Sequence, residues 1–406
     1  HYQVNQLCQS YMETSNAIVM DFSAGYDPKY DEYSINSVDI NNNLSQNSEY
    51  VSVHSLHEGY NLVSFSVLPE DNSLENLFFE NAELISGIIT EGSAAVYCNP
   101  CEEVIYGWIG GLNSINSQSG YWIKSDDAFD YMLVGDKDII TDYNLHIGPN
   151  LISYSCPTVG LIEDLIQNPC IEGIIGEGTG AVKHEDIWIG SLGKLIPGSG
   201  YWFMVSIVNE CEDITLSYDC PEDCFDGSMN RQYSWNNEKQ NIIQSSQQAF
   251  YFIEDIVNAD IGDIVEAYNG SSLVGSRIWN GSFTDIPVMG ADGGNNFTKQ
   301  YCSTGTYPKF KLIKENGDIF EITGEIPAWE NNGLFIVESM NIKEISPIQF
   351  TLASVFPNPF NPSTSIKFGL QKEMMISVTI FDINGRLITQ LVNGTMNAGY
   401  HSLAWN

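Results

Sequence analysis

Gly59-Tyr60-Asn61-Leu62-Val63-Ser64-Phe65-Ser66 returns further along the chain as Gly148-Pro149-Asn150-Leu151-Ile152-Ser153-Tyr154-Ser155. Two further matches follow in the same order. Ile85-Ser-Gly-Ile-Ile-Thr-Glu-Gly-Ser-Ala-Ala-Val96 pairs with Ile171-Glu-Gly-Ile-Ile-Gly-Glu-Gly-Thr-Gly-Ala-Val182. Trp108-Ile-Gly-Gly-Leu with Ser119-Gly120-Tyr121-Trp122 pairs with Trp188-Ile-Gly-Ser-Leu and Ser199-Gly200-Tyr201-Trp202. The offsets shrink along the repeat, so the second copy has shorter loops. A repeat of roughly eighty residues is a pair of domains and not a solenoid, whose units run to ~20–50 residues.

Each copy reads as mostly β. Leu62, Phe65 and Val67, and Leu151, Ile152 and Tyr154, lie in short runs of β-formers bounded by Gly, Asn and Pro. The apolar spacing changes to three or four over 73–79 and 161–167, which predicts a brief helical turn in each copy. Gly176-Glu-Gly-Thr-Gly180 has the glycines of a phosphate cradle, but its counterpart Thr90-Glu-Gly-Ser-Ala94 has lost two of the three, so a β-turn is the better reading. His184-Glu185-Asp186 has no histidine counterpart in the first copy and reads as an exposed loop.

Outward from the repeats, residues 219–341 carry short strands between Gly, Asn and Asp turns, including Gln247-Gln-Ala-Phe-Tyr-Phe-Ile253, and predict a β-sandwich. Residues 342–347 read as a connector. After it, Pro357, Pro359 and Pro362 fix an extended entry. Ser365–Leu370 alternates polar and apolar residues, Ile376, Val378 and Ile380 repeat the pattern, Asn384-Gly385 signals a two-residue hairpin, and Leu387–Val392 returns. The expected division is 1–50 as the tail of an upstream domain plus linker, 51–138 and 139–218 as the repeats, 219–341 as the sandwich and 342–406 as a separate β-unit.

Several motifs in that last unit fall in a recognisable order: Pro357-Asn358-Pro359, then Asp382-Ile383-Asn384-Gly385-Arg386, then Gly399-Tyr400. They resemble the C-terminal sorting module of proteins exported by type IX (Por) secretion, which is similar to the Ig-like domain of flagellar hook-capping proteins. The resemblance implies an extracellular or outer-surface location, a Gram-negative cell, and the type IX machinery as a partner. The family pattern continues past Trp405-Asn406 to a final strand, and His1 is preceded by no leader, so the expectation is a fragment cut at both ends with an incomplete Ig-like sandwich. The paired Gly-x-Asn-Leu, Trp-x-Gly-x-Leu and Gly-Tyr-Trp elements also resemble a repeated module of secreted, sorting-tagged bacterial proteins, a likeness that carries no chemistry.

Composition agrees. Lys and Arg number 16 against 52 Asp and Glu, a net charge of −36. Such a surface repels nucleic acid and anionic lipid and suits a soluble extracellular protein. No apolar run approaches the ~20 residues that span a bilayer. Nine cysteines are compatible with an oxidising compartment. Local disulfides are expected for Cys98–Cys101 and Cys220–Cys224, with Cys8 as the odd thiol.

Catalytic patterns do not emerge. There is no His-Glu-x-x-His, no Gly-x-Ser-x-Gly and no Walker loop. Asp292-Gly293-Gly294-Asn295 and Asn316-Gly317-Asp318 are oxygen-rich, so structural calcium is the cofactor considered, although ordinary turns explain them more simply. Trp108, Tyr121, Trp122, Trp188, Tyr201 and Trp202 are the candidate ligand-binding residues, as platforms for sugar rings. Core packing is the stronger reading, with one of each Tyr-Trp pair facing in and the other out unless both faces are covered. The functional expectation is a secreted, non-enzymatic surface protein with a structural, adhesive or display role, meeting surface polysaccharide or other surface proteins. The alternative is an accessory, carbohydrate-binding region of a secreted hydrolase whose catalytic domain lies upstream.

Overall fold

The computed structural model describes residues 2–6, 9–14, 30–37, 49–98, 107–207, 211, 214–221, 242–293, 297–315, 317–344, 351–356, 362–397 and 399–405. It is a mostly β, multidomain chain whose strand pairs are antiparallel except for Gln248–Ile253 with Leu334–Val337, which run parallel.

The repeated stretches form two five-stranded sheets with one strand order. In the first, Gly59–Ser64, Gly120–Ser125, Ile85–Thr90, Ser93–Cys98 and Gly107–Gly110 lie side by side. In the second, the order is Gly148–Ser153, Gly200–Val205, Ile171–Gly176, Thr179–His184 and Ile187–Gly190. The register agrees as well. Trp122 lies opposite Leu62 and Ile89, and Trp202 lies opposite Leu151 and Ile175. One β-bulge skips Ser86 in the first sheet and Glu172 in the second. Short helices, Leu74–Leu77 and Ile162–Leu165, fall inside the two windows marked by the change of apolar period.

Each sheet needs a cover for its core face, and the two find different ones. Over the first lie Glu49–Leu56 and Phe129–Lys137, which place Leu56, Tyr131 and Leu133 in the core with Phe65, Phe78 and Tyr121. Tyr30–Ser37 pairs onto Glu49–Leu56, and Tyr2–Gln6 and then Gln9–Thr14 extend the same sheet outward from it. Over the second lies the pair Asp142–Leu145 and Ile214–Ser217, which brings Tyr143, Leu145, Leu216 and Tyr218 onto Tyr154, Tyr201 and Phe203.

Two disulfides tie the second module together. Cys156 bonds Cys220 and Cys170 bonds Cys211. The local Cys220–Cys224 pairing is therefore corrected: Tyr218 packs into the second core and carries Cys220 to Cys156, which follows the 148–153 strand. Cys98 is disulfide-bonded too, while Cys101, Cys224 and Cys8 lie outside the described residues. The free thiol among the described residues is Cys302, buried in the third unit, where burial pushes it up to about 11.

The third unit packs a three-stranded sheet, Thr284–Met289, Gln248–Ile253 and Leu334–Val337, on a five-stranded one, Ser272–Ile278, Ile264–Asn269, Lys309–Ile313, Ile319–Thr323 and Asn341–Glu344. Tyr251, Val265, Phe310 and Leu312 fill the space between. Ile342, expected in a connector, belongs to the last of these strands. It lies opposite Ile322 and packs against the core.

At the C-terminus Thr351–Phe356, Thr364–Leu370 and Gly399–Trp405 form a three-stranded sheet, and Met374–Phe381 with Leu387–Met396 forms a long hairpin. The hairpin turn is wider than the Asn-Gly signal implies. Phe381 pairs with Leu387, so five residues make the loop. The Asp382 carboxylate organises it by accepting from the amides of Asn384 and Arg386, both at 2.8 Å. Gly385 takes a φ of 78°, where a Cβ would be strained.

Candidate functional site

Adjacent residues on a strand point to opposite faces, and in both Gly-Tyr-Trp segments both faces are covered. Tyr121 and Tyr201 turn into their own module cores. Their hydroxyls accept from the amides of Asn116 and Ile196, at 2.9 and 2.8 Å. Trp122 and Trp202 turn the other way, into a cluster shared by both modules with Tyr60, Leu62, Ile89 and Leu151. Trp122 meets Tyr60 edge-on at 6.2 Å. The indole N–H groups of Trp122 and Trp202 are buried and meet no acceptor among the described residues, so this contact is held by packing. Trp108 and Trp188 sit half-buried on edge strands, against Phe78 and Tyr97 in one case and beneath the Lys183 ammonium in the other. The six aromatic candidates are thus divided among three settings and do not form one surface.

The junction between the modules is reciprocal. The two hairpin tips are Glu91-Gly92 and Glu177-Gly178, with each glycine at positive φ as the turn requires. Glu177 reaches the first module, where one oxygen meets His57 Nε2 at 2.7 Å and the other accepts from the Leu62 amide at 3.1 Å. Glu91 reaches the second module, meeting His146 Nε2 at 2.5 Å and the Leu151 amide at 3.0 Å. The histidines are placed by buried asparagines. Asn61 accepts from the His57 amide and donates back to the His57 and Gly59 carbonyls. Asn150 does the same with His146 and Gly148.

Each imidazole also presents Nδ1 to a carbonyl, Glu58 O at 2.7 Å and Ile147 O at 2.8 Å. A carbonyl only accepts, and so does an ionised carboxylate. Both ring nitrogens must therefore carry protons for all four contacts to be hydrogen bonds. The Ile147 carbonyl and Glu91 hold His146 above its ordinary value of 6.5. Around these clamps the chains approach closely. The Ser64 amide donates to Gly198 O at 2.8 Å and the Ser153 amide to Gln118 O at 3.0 Å. A Cβ on Gly200 would lie 3.0 Å from the Gly120 Cα, which is why glycine opens both Gly-Tyr-Trp segments. The signal for this site was in the sequence. A histidine stands four residues before Asn61 and Asn150 alike, and a Glu-Gly pair tips both hairpins.

A second junction joins the second module to the third unit. Gln248–Ile253 is buried on both faces: Tyr251 and Ile253 enter its own core, while Phe250 and Phe252 press onto Ile175 and Val182. Arg277, 8% exposed in its side chain, bonds Asp285 at 3.0 Å and donates to the Gly178 carbonyl at 2.8 Å. Ser191 donates to the same Asp285 carboxylate at 2.7 Å. His184, expected in an exposed loop, ends a strand and packs at 5.2 Å on Phe283. The loop lies just beyond it, where Glu185 and Asp186 adopt positive φ.

Among the described residues no three His, Cys, Asp or Glu side chains gather to hold a metal. Gly294, Asn295 and Asn316 of the calcium-like loops lie outside the described residues. Asp292 accepts from the Thr298 hydroxyl at 2.9 Å. No described helix is long and apolar enough to cross a membrane.

In the C-terminal unit, Asp382, Asn384, Gly385 and Arg386 share the loop at the hairpin tip, next to a fully exposed Ile383. Gly399 and Tyr400 open the last strand, at the far end from that tip, opposite Leu370 and Gly369. Pro357, Asn358 and Pro359 lie outside the described residues. Residues 354–401 match the family described as secretion system C-terminal sorting domain. The tail is a type IX sorting domain. The protein is accordingly secreted to the cell surface or the extracellular space, and the sorting domain implies contact with the type IX machinery. No curated protein matches the chain. Among solved structures, a gamma-CGTase from Alkalophilic bacillus clarkii aligns at 8% identity over 79% of this chain, with a TM-score of 0.14. The chain spans 40% of that one, and a likeness at this level carries no argument.

Proposed function

We propose that the body ahead of the sorting domain is a structural and adhesive part of a cell-surface protein, built on a duplicated β-module and active without catalysis. The observation that carries the reading is the sorting domain joined to a body whose units interlock. The shared Trp122 cluster locks module to module, and the Phe250–Phe252 face locks the second module to the third unit. Such a body transmits force and holds a fixed geometry, which a display or adhesion role needs. The polar groups that stand out, Glu91, Glu177, His57, His146, Arg277 and Asp285, are engaged at these junctions. Surface polysaccharide or neighbouring surface proteins are the partners this role implies.

Among the described residues, none of the five buried clusters of the body draws on the sorting tail. Deleting it from the complete protein in a type IX-competent host should leave the upstream units folded and protease-resistant but held in the periplasm. Cells displaying the intact protein should attach to a surface, or to each other, better than cells of the deletion strain. Normal surface delivery of the truncated protein would refute the export half. Equal attachment by both strains would refute the adhesive half.

A further inference from the structure

The junction of the second module and the third unit leaves a cleft of about 160 Å³. Ile189 and Ser191 line it from the module, and Arg277, Asn280, Ser282 and Phe283 from the third unit. Three features distinguish it from a packing gap. First, Arg277 is held almost out of solvent, yet only part of its guanidinium is used. Nε donates to the Asp285 carbonyl, and one amino nitrogen, Nη2, serves Gly178, Ser191 and the Asp285 carboxylate. Nη1 makes no hydrogen bond among the described residues. Nη1 is not sealed away but remains open to solvent, where a ligand in the cleft can meet it. Second, Phe283 has a φ of 60°. A bulky residue rarely occupies that region, and such strain gathers where a side chain must be presented in one place. Third, the wall combines one aromatic ring with hydroxyl and amide groups, and a few oriented polar groups on an apolar wall make a small-molecule site.

We propose that this cleft binds one neutral sugar unit of a glycan, with Arg277 Nη1 and Asn280 hydrogen-bonding its hydroxyls and Phe283 lying against the ring. Charge decides against an anion. Asp285 stands 3.0 Å from Arg277 and matches its charge, and the chain as a whole carries −36. A polyol needs donors and acceptors side by side with no net charge, which Nη1, the Asn280 amide and the serine hydroxyls supply. The site goes beyond the surface role proposed above, and its test in solution depends on neither export nor attachment.

The experiment titrates the whole chain with methyl glucoside, methyl mannoside and methyl galactoside, and with sodium glucuronate as the charged comparison, by calorimetry. At least one neutral glycoside should bind saturably, and Asn280→Ala should weaken it by about tenfold. Phe283→Gly removes the ring. It relieves the positive φ but gives up the contact with His184, two effects on stability of opposite sign, while binding should be lost. Three results would overturn the proposal: no neutral glycoside binds, glucuronate alone binds, or binding survives both substitutions.

Discussion

The two modules have one strand order and one register, but their outer faces live differently. In the second, Val182 is 8% exposed beneath the third unit, while its counterpart Val96 in the first is 52% exposed. The Ala94/Gly180 difference between the copies follows this division. Gly180 lies under the Phe250 ring, where a Cβ would come within 2.9 Å, and the first copy has Ala94 at that place, which is exposed. Gly190 and Gly110 are glycine in both, because a Cβ would strike the neighbouring strand in each. At these positions the framework keeps the backbone-dictated glycines 110 and 190 and differs at 94 and 180, where the third unit reaches only the second copy. The inner faces, by contrast, are treated alike, with Trp122 and Trp202 meeting in one shared cluster.

The largest expected effect sharpens the contrast in cross-linking. Cys156–Cys220 closes a separation of 64 residues. Loop-closure entropy assigns such a bond about 4 kcal/mol. Replacing both cysteines by Ser should lower the stability of the second module by an amount of that order in denaturant titrations. An unchanged midpoint would mean the packing of Tyr218 suffices alone.

Next comes the exchange of the divergent pair. Gly180→Ala should cost about 1–3 kcal/mol, because the Phe250 ring must move. Ala94→Gly, at an exposed strand position, should cost about 1 kcal/mol or less. Equal costs would mean that the third unit does not decide the residue at 180.

The smallest effect concerns the reciprocal clamps. His146 is raised in the folded protein, so folding takes up protons there. The stabilisation is complete below 6.5 and is lost as the pH rises through the raised value. With side chains 57% and 37% exposed, the His146–Glu91 pair is screened, and about 1 kcal/mol or less is at stake. Melting temperature should therefore drift down as the pH rises above 6.5, and Glu91→Gln should flatten the drift. A profile that rises over this range would reverse the assignment of charge.

Much of this was legible because periodicity and turn chemistry act locally. The duplicated strands, the two short helices and the turn at Gly176–Gly180 follow from residues near one another in the chain. The sorting tail was legible from its motifs. What escaped was set through space. The partner of Cys220 is fixed by the pairing of Ile214–Ser217 with Asp142–Leu145, not by the nearness of Cys224. The five-residue loop at Asn384-Gly385 is set by the Asp382 carboxylate, two residues before that pair. The fate of Trp122 and Trp202 depends on the other module, which no single strand pattern shows. Glu91 and Glu177 belong to the same class, since each looks like an ordinary turn residue until its target 55 or 120 residues away is in place.

Amide hydrogen exchange at Leu62 and Leu151 tests the reciprocal junction most directly. Each amide donates to a glutamate of the opposite module, at 3.1 and 3.0 Å. Both should exchange slowly in the intact chain. Glu91→Ala should then speed exchange at Leu151, in the other module, while the Ile88 and Ile89 amides beside the substituted turn keep their protection. Unchanged exchange at Leu151, with any acceleration confined to the first module, would contradict the account.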